Sequence, residues 1–283
     1  MSALDATAAR DVLVDAVQRA GSRLLRTWPQ HGQDEADGLR PRRKNDGSWV
    51  SQADHDSERI ITEVLARTVP GAEIVSEEDE RSHDHCGRTL WFLDPLDGTR
   101  QYLDGSPDFA ILLSAWTDGR PVFSVALFPA EGILAIAHGN RASFSSHGCA
   151  QLAGPQLAES QPVHAVYCNP PRLRQALPAG TAYRVDTYES TRALVDVARG
   201  HAAGAVVLLC GHLAWDVAAP MHLVTAAGGL VSDEHSDAVL LTGTHVPARY
   251  LVAARTATLH RLLVHALTAE PRPDAGRPPV RGL

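Results

Sequence analysis

Apolar residues recur at helical spacing near the start of the chain. Over residues 3–28 they fall every three or four positions, at Leu13, Val14, Val17, Ala20, Leu24 and Leu25. This period predicts an amphipathic helix. A second helix is predicted from about Asp54, where Ile61 and Leu65 contribute to an apolar face and Pro70-Gly71 ends the pattern.

Shorter apolar runs follow and end at acidic residues. The predicted strand Ala72–Ser76 runs into Glu77, and the run Leu90–Leu93 ends at Asp94. Strand ends are rigid and hold charged side chains at fixed separations, so these two strands indicate a shared site. Further apolar runs joined by short turn-like connections predict an antiparallel meander over residues 109–137.

The remaining pattern predicts the domain organisation. Periodicity is lost over residues 148–162, which separates an α+β unit at 1–150 from an α/β unit at 151–270. Residues 31–47, rich in Gly, Asp and Arg, are predicted to form a mobile loop, and residues 271–283 a flexible tail. The second unit contains predicted strands at 163–167 and 205–209 and predicted helices at 190–203 and 216–227.

The composition is that of a globular protein, with 283 residues of which 44% are hydrophobic and 21% charged. The formal net charge is −7, and the basic residues are scattered along the chain. We therefore expect neither a nucleic-acid polymer nor a membrane surface as a partner. Because we find no secretory leader and no apolar stretch of about 20 residues, the sequence predicts a cytoplasmic protein.

The strongest chemical signal is an apolar strand that ends in Asp94-Pro95-Leu96-Asp97-Gly98-Thr99. Two carboxylates at one strand end can bind a hard cation, and the Leu96 carbonyl can face the same ion. Gly98 permits close backbone approach, and a helix that starts near Thr99 would offer N–H groups to a phosphate. An acidic turn with a capping aspartate is the simpler alternative.

The wider sequence favours metal binding over this alternative. Glu77 and Glu78 end the neighbouring predicted strand, and Asp216 stands at the head of a predicted helix, after Trp215. Asp216 taken alone is most simply a helix N-cap, since aspartate is favoured at that position. Capping and metal ligation are compatible, so both roles remain open.

Three segments together resemble the signatures of the inositol monophosphatase superfamily in order and spacing: Ser76-Glu77-Glu78, Asp94–Thr99 and Trp215–Ala219. That superfamily includes inositol monophosphatases, 3′(2′),5′-bisphosphate nucleotidases and histidinol-phosphate phosphatases. The resemblance extends over nearly the whole chain. It implies a layered αβαβα sandwich and a Mg²⁺-dependent phosphatase that hydrolyses a phosphate monoester of a small metabolite by attack of a metal-activated water.

The resemblance also implies roles for individual residues. Two or three Mg²⁺ ions would be held by Glu77, Asp94, the Leu96 carbonyl, Asp97 and Asp216. Thr99, paired with Asp54, would hydrogen-bond the attacking water, and Glu77 would take part in catalysis. Substrate contacts would come from Gly98, Thr99, Lys44, Glu189 and Ser190, with Lys44 and Asp46 on a loop that closes over the third metal. A homodimer and inhibition by Li⁺ are expected by the same analogy.

The chain departs from the inositol-specific pattern at two places. Leu209 stands seven positions before Asp216, where inositol-specific relatives carry an acid that accepts hydrogen bonds from the ring hydroxyls. An apolar side chain cannot accept them, so inositol phosphate is doubtful as the substrate. Glu189-Ser190 replaces the usual Gly-Ser or Gly-Thr pair. Glu189 is read either as a selector of a cationic or hydroxyl-rich substrate or as a first-turn acid favoured by the helix dipole.

Three alternatives to this function stay open. The runner-up within the enzyme class is a nucleotidase that acts on 3′-phosphoadenosine 5′-phosphate. A different mechanism, through an aspartyl-phosphate, is disfavoured by the D-x-x-D spacing of Asp94 and Asp97. A non-catalytic, metal-binding regulatory homologue is a function of another class.

Overall fold

The computed structural model describes residues 3–29, 39–44, 47–146, 149–153, 165–168, 184–186 and 190–268. Several sequence predictions therefore lie outside the described residues, wholly or in large part: the roles of Asp46 and Glu189, the tail at 271–283, most of the loop at 31–47 and most of the boundary segment at 148–162. None of the helices in the described ranges is long and apolar enough to cross a membrane.

Two helices and a small ribbon precede the first sheet. Helix α1 spans Ala3–Thr27 and helix α2 spans Gln52–Thr68, which confirms both predictions from apolar spacing. Between them, strand β1 (Arg42–Arg43) pairs antiparallel with strand β2 (Trp49–Val50). Strand β1 lies in the segment that was predicted to be loop, because backbone pairing can order a ribbon whose side chains are polar. The mobility of that segment stays a prediction.

A seven-stranded sheet follows, with the strands in sequence order from β3 to β9. Strands β3 and β4 are parallel, and the other neighbouring strands are antiparallel. The predicted meander is confirmed and extended by β8 and β9. The strands are β3 (Glu73–Ser76), β4 (Thr89–Asp97), β5 (Ala110–Thr117), β6 (Arg120–Phe128), β7 (Ile133–His138), β8 (Arg141–Ser146) and β9 (Cys149–Ala153), and helix α3 (Thr99–Leu103) joins β4 to β5.

The second half of the chain builds a five-stranded sheet in the order β11-β10-β12-β14-β13. Strand β10 is parallel to β11 and β12, whereas β14 is antiparallel to β12 and β13. The strands are β10 (Ala165–Cys168), β11 (Arg184–Asp186), β12 (Gly204–Leu208), β13 (Leu230–Ser232) and β14 (Tyr250–Ala254). The helices are α4 (Ser190–Arg199), α5 (Ala214–Ala226) and α6 (Ala257–Thr268).

The elements stack in alternating layers of helix and sheet. Helices α1 and α2 pack on one face of the larger sheet, against side chains such as Trp91 and Leu93. The alternate residues Leu90 and Phe92 point to the opposite face, where they join one core with α4, α5 and the smaller sheet. Helix α6 covers the far face of the smaller sheet through residues such as Leu259. The predicted αβαβα sandwich is confirmed.

The two sheets share helices rather than having separate cores. Residues of α4 and α5 belong to the same buried cluster as residues of both sheets. The larger sheet also continues through β9 to Ala153, beyond the boundary predicted at residue 150. The division into two domains stays a prediction.

Candidate metal and phosphate site

The parallel strands β3 and β4 end side by side. Ser76 is in register with Leu93, and the Glu77 N–H donates to the Leu93 carbonyl at 3.1 Å. Glu77 therefore follows the end of β3 directly beside Asp94, which lies within β4. The structure brings together the two acids that the strand pattern predicted to share a site.

Asp216 arrives from the other side of the site, on helix α5. The helix begins at Ala214, two residues before Asp216, so the prediction that Asp216 is the N-cap was wrong. The earlier start is fixed by the Ala214 N–H, which donates to the Thr244 carbonyl at 2.8 Å. Asp216 Oδ2 instead accepts a 2.6 Å hydrogen bond from the N–H of Leu213, the capping residue. This bond holds the carboxylate at the mouth of the helix.

The three acids form a tight cluster. Ligand oxygens of Glu77, Asp94 and Asp216 all lie within 4.8 Å of one another. Burial, followed by repulsion from Glu77, Asp97 and Asp216, raises the pKa of Asp94 well above its ordinary value. Burial and repulsion from Asp97 raise the pKa of Asp216 in the same way. A set of hard oxygen donors whose charges repel one another fits a magnesium ion, which would neutralise them.

Asp97 and Leu96 lie at the edge of this cluster. Asp97 is close enough to repel both Asp94 and Asp216, but it is not part of the group within 4.8 Å. The pairing of β4 with β5 is irregular between Asp94 and Asp97. The Leu96 carbonyl oxygen lies 3.1 Å from Thr99 Oγ1, which is closer, at 2.9 Å, to Asp54 Oδ1. Because a carbonyl oxygen has two lone pairs, this contact does not prevent it from binding a cation.

Thr99 and Asp54 are paired, as the resemblance implies. Thr99 Oγ1 donates to Asp54 Oδ1 at 2.9 Å, and both side chains are buried. Asp54 Oδ2 accepts hydrogen bonds from the N–H and the hydroxyl of Ser51, each at 2.7 Å. Ser51, not Asp54, is the N-cap of α2, and Asp54 completes its capping box. Burial raises the pKa of Asp54, although these hydrogen bonds oppose the shift.

Lys44 reaches the acids from the end of β1. Its Nζ donates to Glu77 Oε1 at 2.8 Å and to Glu78 Oε1 at 2.7 Å. Burial alone would lower the pKa of Lys44, but the attraction and hydrogen bonds of the two glutamates outweigh burial and raise it. Burial raises the pKa of Glu78 to about 8 despite the hydrogen bond from Lys44. The described contacts of Lys44 are thus with acids at the cluster, and its role toward a substrate stays a prediction.

The backbone after Asp97 turns sharply at Gly98. Gly98 has φ +82°, in the left-handed region, and precedes α3. A Cβ added there would lie 2.7 Å from the Asp108 carbonyl oxygen, so only glycine fits. The need for glycine thus comes from the neighbouring backbone, and the predicted approach of the Gly98 backbone to a phosphate stays a prediction. A cavity of about 70 Å³ adjoins it, lined by Asp97, Gly98, Gln101, Asp108, Phe109, Phe128, Thr191 and Arg192.

Thr191 connects helix α4 to Asp216, a link that sequence reasoning missed. Pro220 lies inside α5 and has no N–H to donate to the Asp216 carbonyl one turn earlier. The buried Thr191 hydroxyl donates to that oxygen at 3.4 Å instead. The spacing of Asp216 and Pro220 was the available signal, because it leaves one helical carbonyl without its backbone partner. Ser190 begins α4 beside Thr191.

Leu209 makes apolar and backbone contacts. Its side chain packs against the large core shared by the two sheets, and its N–H donates to the Arg249 carbonyl at 2.9 Å. The side chain offers no acceptor for a substrate hydroxyl. Sequence reasoning also left Glu78 out of the predicted ligands, although the structure buries its side chain beside Lys44.

The structure is an α/β layered protein with a carboxylate cluster that could hold a metal ion. A model of the inositol monophosphatase family matches residues 5–272. The chain belongs to the inositol monophosphatase family.

Individual relatives agree with this assignment. An inositol-1-monophosphatase of Mesorhizobium japonicum is 28% identical over 79% of this chain and 84% of its own length. One of Rhizobium meliloti is 38% identical over 42% of this chain and 43% of its own length.

Solved structures share the fold. The extragenic suppressor protein suhB of Bartonella henselae has a TM-score of 0.72 and 23% identity, over 93% of this chain and 100% of that one. An IMPase/NADP phosphatase complexed with Mg²⁺ and phosphate has a TM-score of 0.66 and 18% identity, over 83% of this chain and 88% of that one.

Proposed function

We propose that this protein is a Mg²⁺-dependent phosphatase that hydrolyses a phosphate monoester of a small metabolite. The observation that carries the proposal is the approach of Glu77, Asp94 and Asp216 within 4.8 Å of one another, with Asp97 close by. Acids that are this close and this buried repel one another strongly, and a divalent cation removes that repulsion. Two or three ions would be held by these four carboxylates and the Leu96 carbonyl.

Individual residues of the chain would have separate roles in this hydrolysis. Bound Mg²⁺ supplies charge neutralisation for the phosphate and the departing oxygen, and it makes water acidic enough to attack. The Thr99 hydroxyl donates its hydrogen to Asp54, which leaves the oxygen lone pairs of Thr99 to accept a hydrogen bond from the attacking water. Asp54 keeps the hydroxyl in this orientation because Ser51 fixes the carboxylate from the opposite side. Glu77, beside Asp94, would assist the same water.

Substrate contacts are proposed for residues around the cluster. The Gly98 and Thr99 backbone amides would hold the phosphate where the chain turns at φ +82°. Lys44 would add positive charge at the Glu77 side of the site. Ser190 and Glu189, at and before the start of α4, would contact the rest of the substrate, since Thr191 of the same helix borders the cavity beside Asp97.

A nucleotide is the second candidate substrate, specifically 3′-phosphoadenosine 5′-phosphate. Leu209 supplies no hydrogen-bond acceptor for a ring hydroxyl, which disfavours a polyol such as inositol phosphate. A nucleotidase would use the same metal-bound chemistry and differ only in the leaving group.

The test is phosphate release from a panel of monoesters by the purified chain with Mg²⁺, in parallel with Asp94→Asn. The panel contains inositol 1-phosphate, histidinol phosphate, 3′-phosphoadenosine 5′-phosphate and several sugar phosphates. We expect release from at least one compound, loss of release with a chelator, and no release by the variant. Mg²⁺ binding without release from any compound would instead support a non-catalytic regulatory homologue. A trapped covalent phosphoenzyme would support the aspartyl-phosphate route.

Three further properties belong to the proposal: inhibition by Li⁺ and a homodimeric state, which are expected by the family resemblance, and a location in the cytoplasm, which is expected from the sequence pattern. Phosphate release with added LiCl tests the first. Sedimentation equilibrium tests the second, and fractionation of cells that express the chain tests the third.

A further inference from the structure

A short segment, residues 79–85, lies between the two elements that carry Glu77 and Asp216. It contains one 3₁₀ turn, Glu80–Ser82, and then the half-buried His83. Glu77 follows β3 of the larger sheet, whereas Asp216 belongs to α5, which packs across that sheet. His83 contacts both elements, each time at the residue next to the acid.

The first contact holds the end of β3. His83 Nε2 lies 2.9 Å from the carbonyl oxygen of Ser76, the residue before Glu77. A carbonyl oxygen only accepts, so Nε2 carries the hydrogen and donates it. This is the shortest of the hydrogen bonds to that oxygen, since those from the Asp79 N–H and the Ser82 hydroxyl measure 3.3 and 3.4 Å. The imidazole therefore anchors the strand at its last residue.

The second contact holds the start of α5. The His83 ring lies on the buried ring of Trp215, the residue before Asp216, with centroids 4.8 Å apart and an interplanar angle of 36°. The His83 carbonyl also accepts a 2.7 Å hydrogen bond from Thr244 Oγ1. Thr244 in turn receives the first N–H of the helix, from Ala214. Both the ring and the backbone of His83 thus restrain α5 where it enters the site.

We propose that His83 is a positioning residue that sets the separation between Glu77 and Asp216 and thereby determines the affinity for Mg²⁺. The inference rests on the proposed function, because it takes both acids as ligands. A rigid planar ring joined to both elements transmits a fixed distance, and metal sites need their ligands held within about 0.5 Å. Loss of a residue that orients metal ligands lowers metal affinity by about tenfold or more.

The experiment compares His83→Ala with His85→Ala by isothermal titration of each folded variant with MgCl₂. His85 is a matched control, because its Nδ1 bonds the Ile74 carbonyl of the same strand at 2.9 Å without a described ring contact to Trp215. We expect His83→Ala to lower the Mg²⁺ affinity by about tenfold and His85→Ala to leave it unchanged. Equal affinities in the two variants would overturn the proposal.

A second pair of variants covers the case in which His83→Ala fails to fold. His83→Phe keeps a ring on Trp215 but loses the bond to Ser76, and Thr244→Val removes only the hydroxyl bond to the His83 carbonyl. Each is expected to weaken Mg²⁺ binding by less than His83→Ala would, and wild-type affinity in both would count against the proposal.

The two proposals fail in different ways. If the wild-type chain binds Mg²⁺ but releases no phosphate, the enzymatic function fails and the titrations still test His83. If phosphate is released and His83→Ala binds Mg²⁺ as tightly as His85→Ala does, the positioning role fails alone. A wild-type chain that binds no Mg²⁺ would overturn both.

Discussion

Thr99 Oγ1 donates a hydrogen bond to Asp54 Oδ1 at 2.9 Å, although 45 positions of sequence separate the two residues. Asp54 also accepts a hydrogen bond from Ser51 in the capping box of α2, and Thr99 Oγ1 lies 3.1 Å from the Leu96 carbonyl oxygen. The pair therefore joins the first turn of α2 to the strand end that carries Asp94 and Asp97. It stands beside the carboxylate cluster without belonging to it.

The first prediction concerns this pair. Thr99→Val removes the hydroxyl but keeps the shape of the side chain, and we expect kcat to fall by about a hundredfold or more. The Mg²⁺ affinity should stay close to that of the wild type, because neither the cluster nor the Leu96 carbonyl is removed. Steady-state kinetics at saturating Mg²⁺ measures the first quantity, and titration with MgCl₂ the second.

Thr99→Ser is the control for this prediction, since it keeps the hydroxyl that donates to Asp54. It should retain most of the activity. An equal loss in the serine variant, which keeps the hydroxyl, would contradict the assignment of the lost activity to this hydrogen bond.

The second prediction is that Asp94→Asn abolishes phosphate release and stabilises the metal-free protein. Asparagine keeps an oxygen for the Leu96 N–H, which donates to Asp94 Oδ1 at 3.0 Å. It removes a buried carboxyl group whose ionised form is disfavoured by burial and by repulsion from Glu77, Asp97 and Asp216. We expect the free energy of unfolding, measured by urea titration in EDTA, to rise by about 1 kcal/mol or more.

Asp118→Asn is the matched control for the second prediction. Asp118 is exposed and paired with Arg88, whose hydrogen bonds lower the pKa of the carboxyl. Removing that charge relieves no repulsion, so the variant should not gain stability. An Asp94→Asn protein no more stable than Asp118→Asn in EDTA would contradict the interpretation of the cluster.

The third prediction concerns pH and metal removal. Asp94, Asp216 and Glu78 have raised pKa values in the folded chain, that of Glu78 about 8. The folded state then keeps protons that the unfolded chain loses above about pH 4, so these groups lower stability as pH rises toward their folded pKa values. In EDTA, the temperature midpoint of unfolding should decrease as the pH is raised from about 7 to about 8.5.

Saturating Mg²⁺ should reduce or reverse this fall, because the cation replaces the protons. The chosen window lies above the ordinary histidine pKa of 6.5, so that histidines with lowered pKa values do not contribute. Identical pH dependence with EDTA and with Mg²⁺ would argue against proton displacement at the cluster.

The fourth prediction concerns His222, in the core between the larger sheet and α5. Its Nε2 donates to the Gly139 carbonyl and its Nδ1 accepts from the Ser124 hydroxyl, both at 2.8 Å. Burial lowers its pKa to about 4, although the bond to Gly139 opposes the shift. The unfolded chain therefore binds a proton more readily between pH 6.5 and about 4. His222 contributes its full stability above pH 6.5 and loses it as pH falls through this window.

His222→Gln checks this prediction, because an amide keeps a donor and an acceptor but does not titrate. The stability advantage of the wild type over the variant should shrink by about 2–3 kcal/mol between neutral pH and about pH 4. Urea unfolding of both proteins across this range measures the difference. If the free energies of unfolding of the two proteins change in parallel with pH, the interpretation of His222 as a neutral buried imidazole is wrong.

The fifth prediction tests the partner of the Asp216 carbonyl. Thr191→Val should destabilise the chain by about 1 kcal/mol, because it removes the hydroxyl that donates to this part-buried oxygen. Pro220→Ala restores a backbone N–H one turn after Asp216. In that background, Thr191→Val should therefore lower the free energy of unfolding by less than it does in the wild type. A double-mutant cycle measured by urea unfolding gives the difference. Strict additivity would mean that Thr191 and Pro220 do not act on the same oxygen.

The sequence predicted the elements whose patterns are strong and local. Helix α2 follows from its apolar face, and the pairing of Glu77 with Asp94 follows from two runs that end in acids. The polar ribbon β1–β2 was not predictable in this way, because it depends on backbone pairing rather than on apolar spacing. Helix α5 carries apolar residues on nearly all sides, so its start could not be read from periodicity, and Asp216 was taken for its cap.

Contacts between distant segments were also beyond local patterns. Three contacts join elements that meet only in the folded chain. They are the hydrogen bonds of Lys44 to Glu77 and Glu78, the ring contact of His83 with Trp215, and the hydrogen bond of Thr191 to the Asp216 carbonyl. The family resemblance supplied the ligand set but not these supporting contacts, which involve residues outside its three signature segments.

Asp216 comes late in the chain, on a helix that lies across the sheet carrying Glu77 and Asp94. On the proposed function, a nascent protein that has built only its first sheet would hold an incomplete set of acids and would bind an ion weakly. Tight cation binding would begin only when α5 docks, and the bound ion would then stabilise the completed fold against reopening. A divalent cation in the medium would thus selectively stabilise chains in which α5 has docked correctly on the first sheet.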